Sequence, residues 1–286
     1  MRAAVLGHPI GHSKSPLLHR AAYAYLGWDC SYDAIDVDAG QAMDFAARVR
    51  SEEGWAGLSV TMPLKAALLP AMDRLSETAR GLGVLNTVTF DRTGPDAELT
   101  GHNTDVAGIV NALRHAAAPT GRGAVVLGSG GTACAAVAAL AGLGFSEATV
   151  CARRFPEDAS GRVGVLEAGR QFGVGICARG WETAAGAAGS AGVVISTLPP
   201  HGADQLAAAV AAGPDVAGSV LLDVAYDPWP CALAAAWQDR GGIIVPGLEM
   251  LLYQAVEQVR LFAGPHFRDE AAVINVMCDA VGAPLR

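Results

Sequence analysis

Ala124-Val125-Val126-Leu127-Gly128-Ser129-Gly130-Gly131-Thr132-Ala133 decides the fold. Four apolar residues suit a buried parallel strand, and the glycines that follow, spaced Gly-x-Gly-x-x-Ala, open an alanine-rich helix. Glycine at such a turn lets backbone approach a pyrophosphate, whose charge the helix N-terminus meets. The strand-turn-helix context carries this reading, because a glycine-rich turn alone is a weak signal.

Outward from that stretch, short apolar runs alternate with helical patterns in both directions. Upstream, strands are predicted at Arg2 to Leu6, Tyr32 to Val37 and Ala56 to Val60, with helices at Ser15 to Leu26 and Ala39 to Arg50. Downstream, a helix to Leu143 is followed by a strand at Ala148 to Ala152, a helix near 159–172, and strands at Val193 to Ser196, Val220 to Val224 and Ile243 to Val245. This is α/β architecture: an N-terminal α/β domain with a largely parallel sheet, then a Rossmann-type doubly wound nucleotide-binding domain. The apolar face of Val106, Ile109, Val110 and Leu113 predicts a connecting helix over Asp105 to Ala117, with the domain boundary along it. Residues 1–105 and 106–247 are the expected domains. Helices over 248–286, with Leu248, Leu251, Leu252, Ala255, Val256 and Val259 on one broad face, are expected to complete the first.

Cofactor choice in such a fold is read at the end of the second strand, where an acid would hold a ribose 2'-hydroxyl. Here the strand ends in Ala152-Arg153-Arg154, with no acid before Glu157. Two guanidiniums favour a 2'-phosphate, because planar forks bind phosphate oxygens in pairs, and the expected cofactor is NADP.

Composition excludes several classes. The chain has 286 residues, enough for two cores at 51% hydrophobic content. Its 28 acids against 20 bases give a net charge of -8, without the basic stripe that nucleic acid demands. The alanine-rich run Thr132 to Phe145 is too short to span a bilayer, and the amino terminus enters a strand rather than a signal sequence. No membrane partner is expected, and the cytoplasm is the expected compartment. Six scattered cysteines, without a Cys-x-x-Cys pair or histidine at ligand spacing, argue against zinc and a disulfide framework; they read as small buried hydrophobes. No metal is expected.

In the N-terminal half, Ser59-Val60-Thr61-Met62-Pro63-Leu64-Lys65 reads as a buried strand running into a turn and helix start that carries one lysine. Alone, Lys65 reads as an exposed lysine, and Asp105 as a cap of the helix that follows it. Reducing a ketone requires a proton as well as a hydride, and a lysine oriented by a carboxylate can supply it. Ser13-Lys14-Ser15-Pro16 precedes a helix; Ser15 reads as its cap and Pro16 as its first residue, while the two hydroxyls also make a carboxylate cradle.

Ser-Lys-Ser-Pro, Ser-Val-Thr-Met-Pro-x-Lys, Gly-Val-Leu-Asn-Thr, Asn-Thr-Asp, Gly-Ser-Gly-Gly-Thr-Ala, Tyr-Asp-Pro-Trp-Pro and Gly-Leu-Glu-Met-Leu-x-x-Gln occur in order across nearly the whole chain. Together they resemble the shikimate dehydrogenase family. The resemblance implies that Ser13 and Ser15 hold the substrate carboxylate, with Tyr226 near it, and that Thr61, Lys65, Asn86, Asp105 and Gln254 bind ring hydroxyls. Lys65 and Asp105 would be the catalytic pair. It implies cofactor contacts at Gly128, Ser129, Gly130, Gly131, Thr132 and Ala133, at Ala152, Arg153 and Arg154, at Thr197, Leu198, Pro199 and Val224, and at Gly247 and Met250 beside the nicotinamide. Ser59 stands where many members carry asparagine and is expected to keep a shorter-reaching hydrogen bond to substrate. His102 replaces a common acid and reads as a surface or loop residue. The cofactor triplet Asn-Arg-Thr is here Ala152-Arg153-Arg154, which keeps the central guanidinium.

The expected activity is NADP-dependent, reversible reduction of 3-dehydroshikimate to shikimate in aromatic amino-acid biosynthesis, by a monomer or homodimer. One alternative is a quinate/shikimate dehydrogenase using NAD or NADP. An alternative of another class is a non-catalytic dinucleotide-binding regulator, which has no need of Lys65 and Asp105 together.

Overall fold

The computed structural model describes residues 1–94, 96–155 and 163–286. They form two units: Met1–Thr104 with Leu252–Arg286, and Asp105–Leu251.

The first unit runs β1 (Arg2–Gly7), α1 (Ser15–Leu26), β2 (Ser31–Asp36), α2 (Ala42–Ser51), β3 (Trp55–Val60), α3 (Leu64–Ala67), β4 (Arg74–Leu75), α4 (Glu77–Leu82), β5 (Thr87–Asp91) and β6 (Glu98–His102). The six strands make one sheet in the order β2-β1-β3-β5-β6-β4. β1 pairs in parallel with β2 and β3, and β4 with β6, while β5 is antiparallel to both β3 and β6. Three of the five pairings are parallel, as expected of a largely parallel sheet, and the antiparallel ones are confined to β5. In the β5-β6 hairpin Thr87, Thr89, Glu98 and Thr100 alternate with Val88, Phe90 and Leu99, the pattern of half-buried strands and not of continuous apolar runs.

Helix α1 has the expected bounds, Ser15–Leu26, but not the expected cap. Ser15 is its first helical residue, and Lys14 occupies the cap position without a capping bond from its side chain. Pro16 therefore stands second, and Ser15 does not serve as a cap.

The second unit comprises α5 (Asp105–His115), β7 (Ala124–Leu127), α6 (Gly131–Gly142), β8 (Glu147–Ala152), α7 (Val165–Phe172), β9 (Gly175–Gly180), α8 (Ala184–Ser190), β10 (Val193–Ser196), α9 (Asp204–Ala211), β11 (Val220–Asp223), α10 (Ala232–Asp239), β12 (Ile243–Pro246) and the start of α11 (Gly247–Ala263). The expected start of α7 at 159, like Glu157, lies outside the described residues. All six strands are parallel, in the order β12-β11-β10-β7-β8-β9. That order is doubly wound, with its switch point between β7 and β10. Strands β7, β10 and β11 are buried at every residue, as strands covered on both faces must be.

From Leu252 onward α11 belongs to the first unit, and α12 (Glu270–Val281) follows there. The Asp269 side chain accepts from Ala272 N to start α12, which packs along α1. Each unit has its own apolar cluster, one around Leu6, Leu58, Leu64 and Leu85, the other around Leu127, Val194, Leu221 and Trp237.

The cysteines divide: Cys134, Cys151 and Cys278 are buried, Cys30 and Cys231 half-buried, and Cys177 exposed. The uniform buried reading therefore fails for three of them. Cys177 lies on β9, which ends its sheet, so one flank of that strand has no neighbour to cover it.

Candidate active site

The glycine turn lies at the switch point, where open α/β sheets bind their ligands. Gly128 has φ +113°, and a Cβ there would stand 2.5 Å from Thr197 Oγ1; glycine is required on both counts. Thr197 is fixed opposite, its N and Oγ1 both donating to the Leu127 carbonyl at 2.9 and 2.8 Å. At Gly130, by contrast, a Cβ would meet nothing within 4 Å. The chain's own atoms do not require glycine there, whereas the close approach of a pyrophosphate would. Ala133 is fully buried, seating the first turn of α6 against the unit while Gly130 and Gly131 remain exposed.

Ser129 Oγ donates to the Arg154 carbonyl at 2.7 Å, and Gly128 N donates to the Cys151 carbonyl at 2.9 Å. These bonds fasten the turn to the end of β8. Ala152 is buried at that end, and Arg153 and Arg154 are exposed. The residues fit a dinucleotide with a 2'-phosphate: an open glycine cradle, a helix N-terminus and two available guanidiniums lie on one stretch of structure.

Leu198 is half-buried and Pro199 exposed beyond β10. At the end of β11, Val224 N donates to the Ser196 carbonyl at 3.0 Å. A Cβ on Gly247 would overlap the Val224 carbonyl, so α11 begins at a glycine by necessity; Met250 is buried one turn later. Asp223 is buried, accepts from Cys231 Sγ at 2.9 Å and from Ala225 N at 3.1 Å, and burial pushes its carboxyl pKa up. Tyr226 is half-buried, and burial raises its phenol.

In the first unit, Ser15 N donates to Ser13 Oγ at 3.3 Å, and Ser13 N to the Ile10 carbonyl at 3.0 Å. Ser15 is 5% exposed. Beneath it, His19 Nδ1 lies 3.0 Å from the Ser15 carbonyl and its ring stacks 4.0 Å from Tyr32; burial lowers the His19 pKa to about 4. Thr61 and Lys65 are half-buried beyond β3, and the Lys65 carbonyl accepts from Leu85 N at 2.9 Å. That bond fixes the lysine's backbone beside the segment that leads to Asn86.

Asn86 stands just before β5, 2% exposed. Its Oδ1 accepts from Thr104 N at 2.7 Å and from Thr87 Oγ1 at 2.8 Å. Its Nδ2 donates to Thr104 Oγ1 at 2.9 Å and to Gln254 Oε1 at 3.3 Å. Asp105 follows Thr104 directly as the first residue of α5, 6% exposed. Ser59 is 3% exposed, accepting from the Tyr32 hydroxyl at 2.6 Å and donating to Gln258 Oε1 at 2.7 Å.

His102 is neither a loop nor a plain surface residue. It ends β6 with its Nε2 2.9 Å from Thr89 Oγ1 on β5, and burial lowers its pKa. Tyr32, Thr87, Thr104 and Gln258 were not among the expected site residues. Gln258 alone had a signal, since it lies one helical turn from Gln254 within an otherwise apolar face. Among the described residues no cluster of His, Cys, Asp and Glu could hold a metal ion, and no helix is long and apolar enough to cross a membrane.

A doubly wound unit with a fingerprint turn at its switch point, in one chain with a second α/β unit that holds a buried amide and hydroxyl cluster, defines a dinucleotide-binding α/β protein. A model of the shikimate dehydrogenase substrate binding domain matches residues 5–88. The shikimate dehydrogenase (NADP(+)) of Methanothermobacter thermautotrophicus is 34% identical over 281 residues, covering 97% of this chain and 94% of its own. Its namesake from Methylobacterium radiotolerans is 37% identical over 273 residues, covering 93% of each chain. The crystal structure of Mycobacterium tuberculosis shikimate dehydrogenase matches with a TM-score of 0.81 at 38% identity, covering 98% of both. The chain belongs to the shikimate dehydrogenase family.

Proposed function

We propose that the protein catalyses the reversible, NADP-dependent reduction of 3-dehydroshikimate to shikimate, in aromatic amino-acid biosynthesis. The observation that carries this reading is likeness along nearly the full chain to proteins named for that reaction. The geometry supports it from the cofactor side through the open cradle at Gly130 and the exposed Arg153 and Arg154.

NADPH, when bound, supplies the hydride. Lys65 gives its proton to the oxygen of the ketone as the carbon is reduced, and takes one back in the reverse direction. Asp105 orients the lysine and accepts from a ring hydroxyl. Asn86, Gln254 and Thr61 hold the remaining hydroxyls, while Ser13 and Ser15 donate to the carboxylate with Tyr226 near it. Holding the ring at several points fixes its reactive carbon for transfer, which is how positioning lowers a barrier. The deficit of basic charge fits a small-molecule enzyme, acting in the cytoplasm as a monomer or homodimer without nucleic acid or membrane.

Lys65→Ala is the direct test of the proton role. Turnover should fall about 10²- to 10⁴-fold, the usual contribution of a general acid, with the shikimate dissociation constant changed far less. Turnover near the starting level would remove Lys65 from the chemistry.

A further inference from the structure

Strand β3 and helix α11 meet in register within the first unit. A Cβ on Gly57 would overlap the Phe262 ring, so the glycine lets the helix lie close on the strand. Two strand residues advance about 6.8 Å and one helical turn about 5.4 Å. The next pair in this register is therefore Ser59 and Gln258, bonded at 2.7 Å. One further helical turn reaches Gln254.

Polar side chains form an unbroken chain through this contact. Tyr32 OH donates to Ser59 Oγ, which donates to Gln258 Oε1. Gln258 Nε2 donates to the Asn86 carbonyl at 3.0 Å and to Thr87 Oγ1 at 2.9 Å. Thr87 Oγ1 donates to Asn86 Oδ1, and Asn86 Nδ2 reaches Gln254 Oε1. Of these residues none exceeds 7% exposure, so each bond is made where an unmade one is costly.

Two backbone groups fix the direction of the whole chain. The Asn86 carbonyl can only accept, so Gln258 must turn its nitrogen there and its oxygen toward Ser59. Ser59 must then donate to Gln258 and accept from Tyr32. Thr104 N can only donate, so Asn86 turns Oδ1 to it and Nδ2 toward Gln254. Thr87, accepting from Gln258, spends its own proton on that same Oδ1.

We propose that Gln258, with Ser59 and Thr87 on either side, is a positioning residue that holds the amides of Asn86 and Gln254 in one orientation, and so tunes the grip on the substrate ring. The proposal rests on the reading that Asn86 and Gln254 hold ring hydroxyls. It moves Ser59, expected to touch the substrate, one step back: its hydroxyl is committed on both sides, and it acts through Gln258.

The test is steady-state kinetics on Gln258→Met, which keeps the length of the side chain and removes its amide. The shikimate KM should rise about tenfold, the size expected when the misplaced amides lose one hydrogen bond to the ring worth about 1.4 kcal/mol, with the NADP KM within twofold and kcat reduced less than KM is raised. Ser59→Ala alone should raise the shikimate KM, but in the Gln258→Met background it should add less than twofold, because both act through one bond. A variant that loses thermal stability with an unchanged shikimate KM would show a structural role only and overturn the proposal, as would full multiplication of the two single effects. If Gln258→Met does not fold, Thr87→Val breaks the next link and is read by the same KM split. Wild-type protein that fails to oxidise shikimate overturns the reading of the reaction itself, a different outcome from either.

Discussion

The Ser129 hydroxyl donates to the Arg154 carbonyl at 2.7 Å, so the turn that would cradle the pyrophosphate and the arginines that would meet the 2'-phosphate are tied by a side-chain bond. Spacing along the chain, 25 residues apart, cannot show such a bond.

Arg153→Ala should lower kcat/KM for NADP about 10- to 100-fold, as expected when a charge-assisted hydrogen bond of about 1.5–3 kcal/mol is removed. The same ratio for NAD should change less than about threefold, because NAD lacks the phosphate the guanidinium meets. Arg154→Ala should have the smaller effect of the two. Parallel kinetics with both cofactors measure this; equal losses for NADP and NAD would take the arginine away from the phosphate.

Gly128→Ala should abolish detectable NADPH binding in fluorescence titration. The new Cβ meets Thr197 Oγ1 at 2.5 Å on a backbone with φ +113°, a conformation that costs a non-glycine residue about 1–3 kcal/mol before any clash. Gly130→Ala has open space around its Cβ. It should leave thermal stability nearly unchanged and still weaken NADPH, so the pair separates a demand of the fold from a demand of the ligand. Undiminished binding in Gly130→Ala would place the pyrophosphate elsewhere.

Stability should fall as pH drops through the range set by His19. Burial holds its folded pKa near 4 against an ordinary 6.5, so between those values the unfolded chain binds a proton that the folded chain does not. The stabilisation is complete above 6.5 and is lost as pH falls toward 4, amounting to about 3 kcal/mol. His102, also lowered by burial, acts with the same sign. Urea denaturation at pH 7 and pH 4.5, in wild type and His19→Leu, isolates the His19 share: the variant should lose about 2–3 kcal/mol less on acidification. Equal acid sensitivity would mean that His19 is not held neutral.

The doubly wound unit was largely legible because its signals are local. A strand of four apolar residues, a glycine turn and an alanine helix appear within Ala124–Gly142, and β7 and β10 run as read. The antiparallel setting of β5 was not legible: Thr87-Val88-Thr89-Phe90-Asp91 alternates as a half-buried strand does, but its pairing with β3 is a long-range event that no local pattern shows. The bounds of α1 were legible, but residue type could not show that Ser15 stands inside the helix and not at its cap, because Pro16 is compatible with the second helical position as well as the first. Asn86, Asp105 and Gln254 were visible as motif residues. Tyr32, Thr87 and Gln258 were not, because what gives them a role is burial against one another across 226 residues of chain, from Tyr32 to Gln258.

The central claim is the reaction and its cofactor, and one four-way measurement addresses it most directly: initial rates of shikimate and quinate oxidation, each with NADP and with NAD. The account predicts that kcat/KM is highest for shikimate with NADP, with loss on changing either the substrate or the cofactor. A clear preference for quinate with NAD, or tight shikimate binding without reduction of either cofactor, would contradict it.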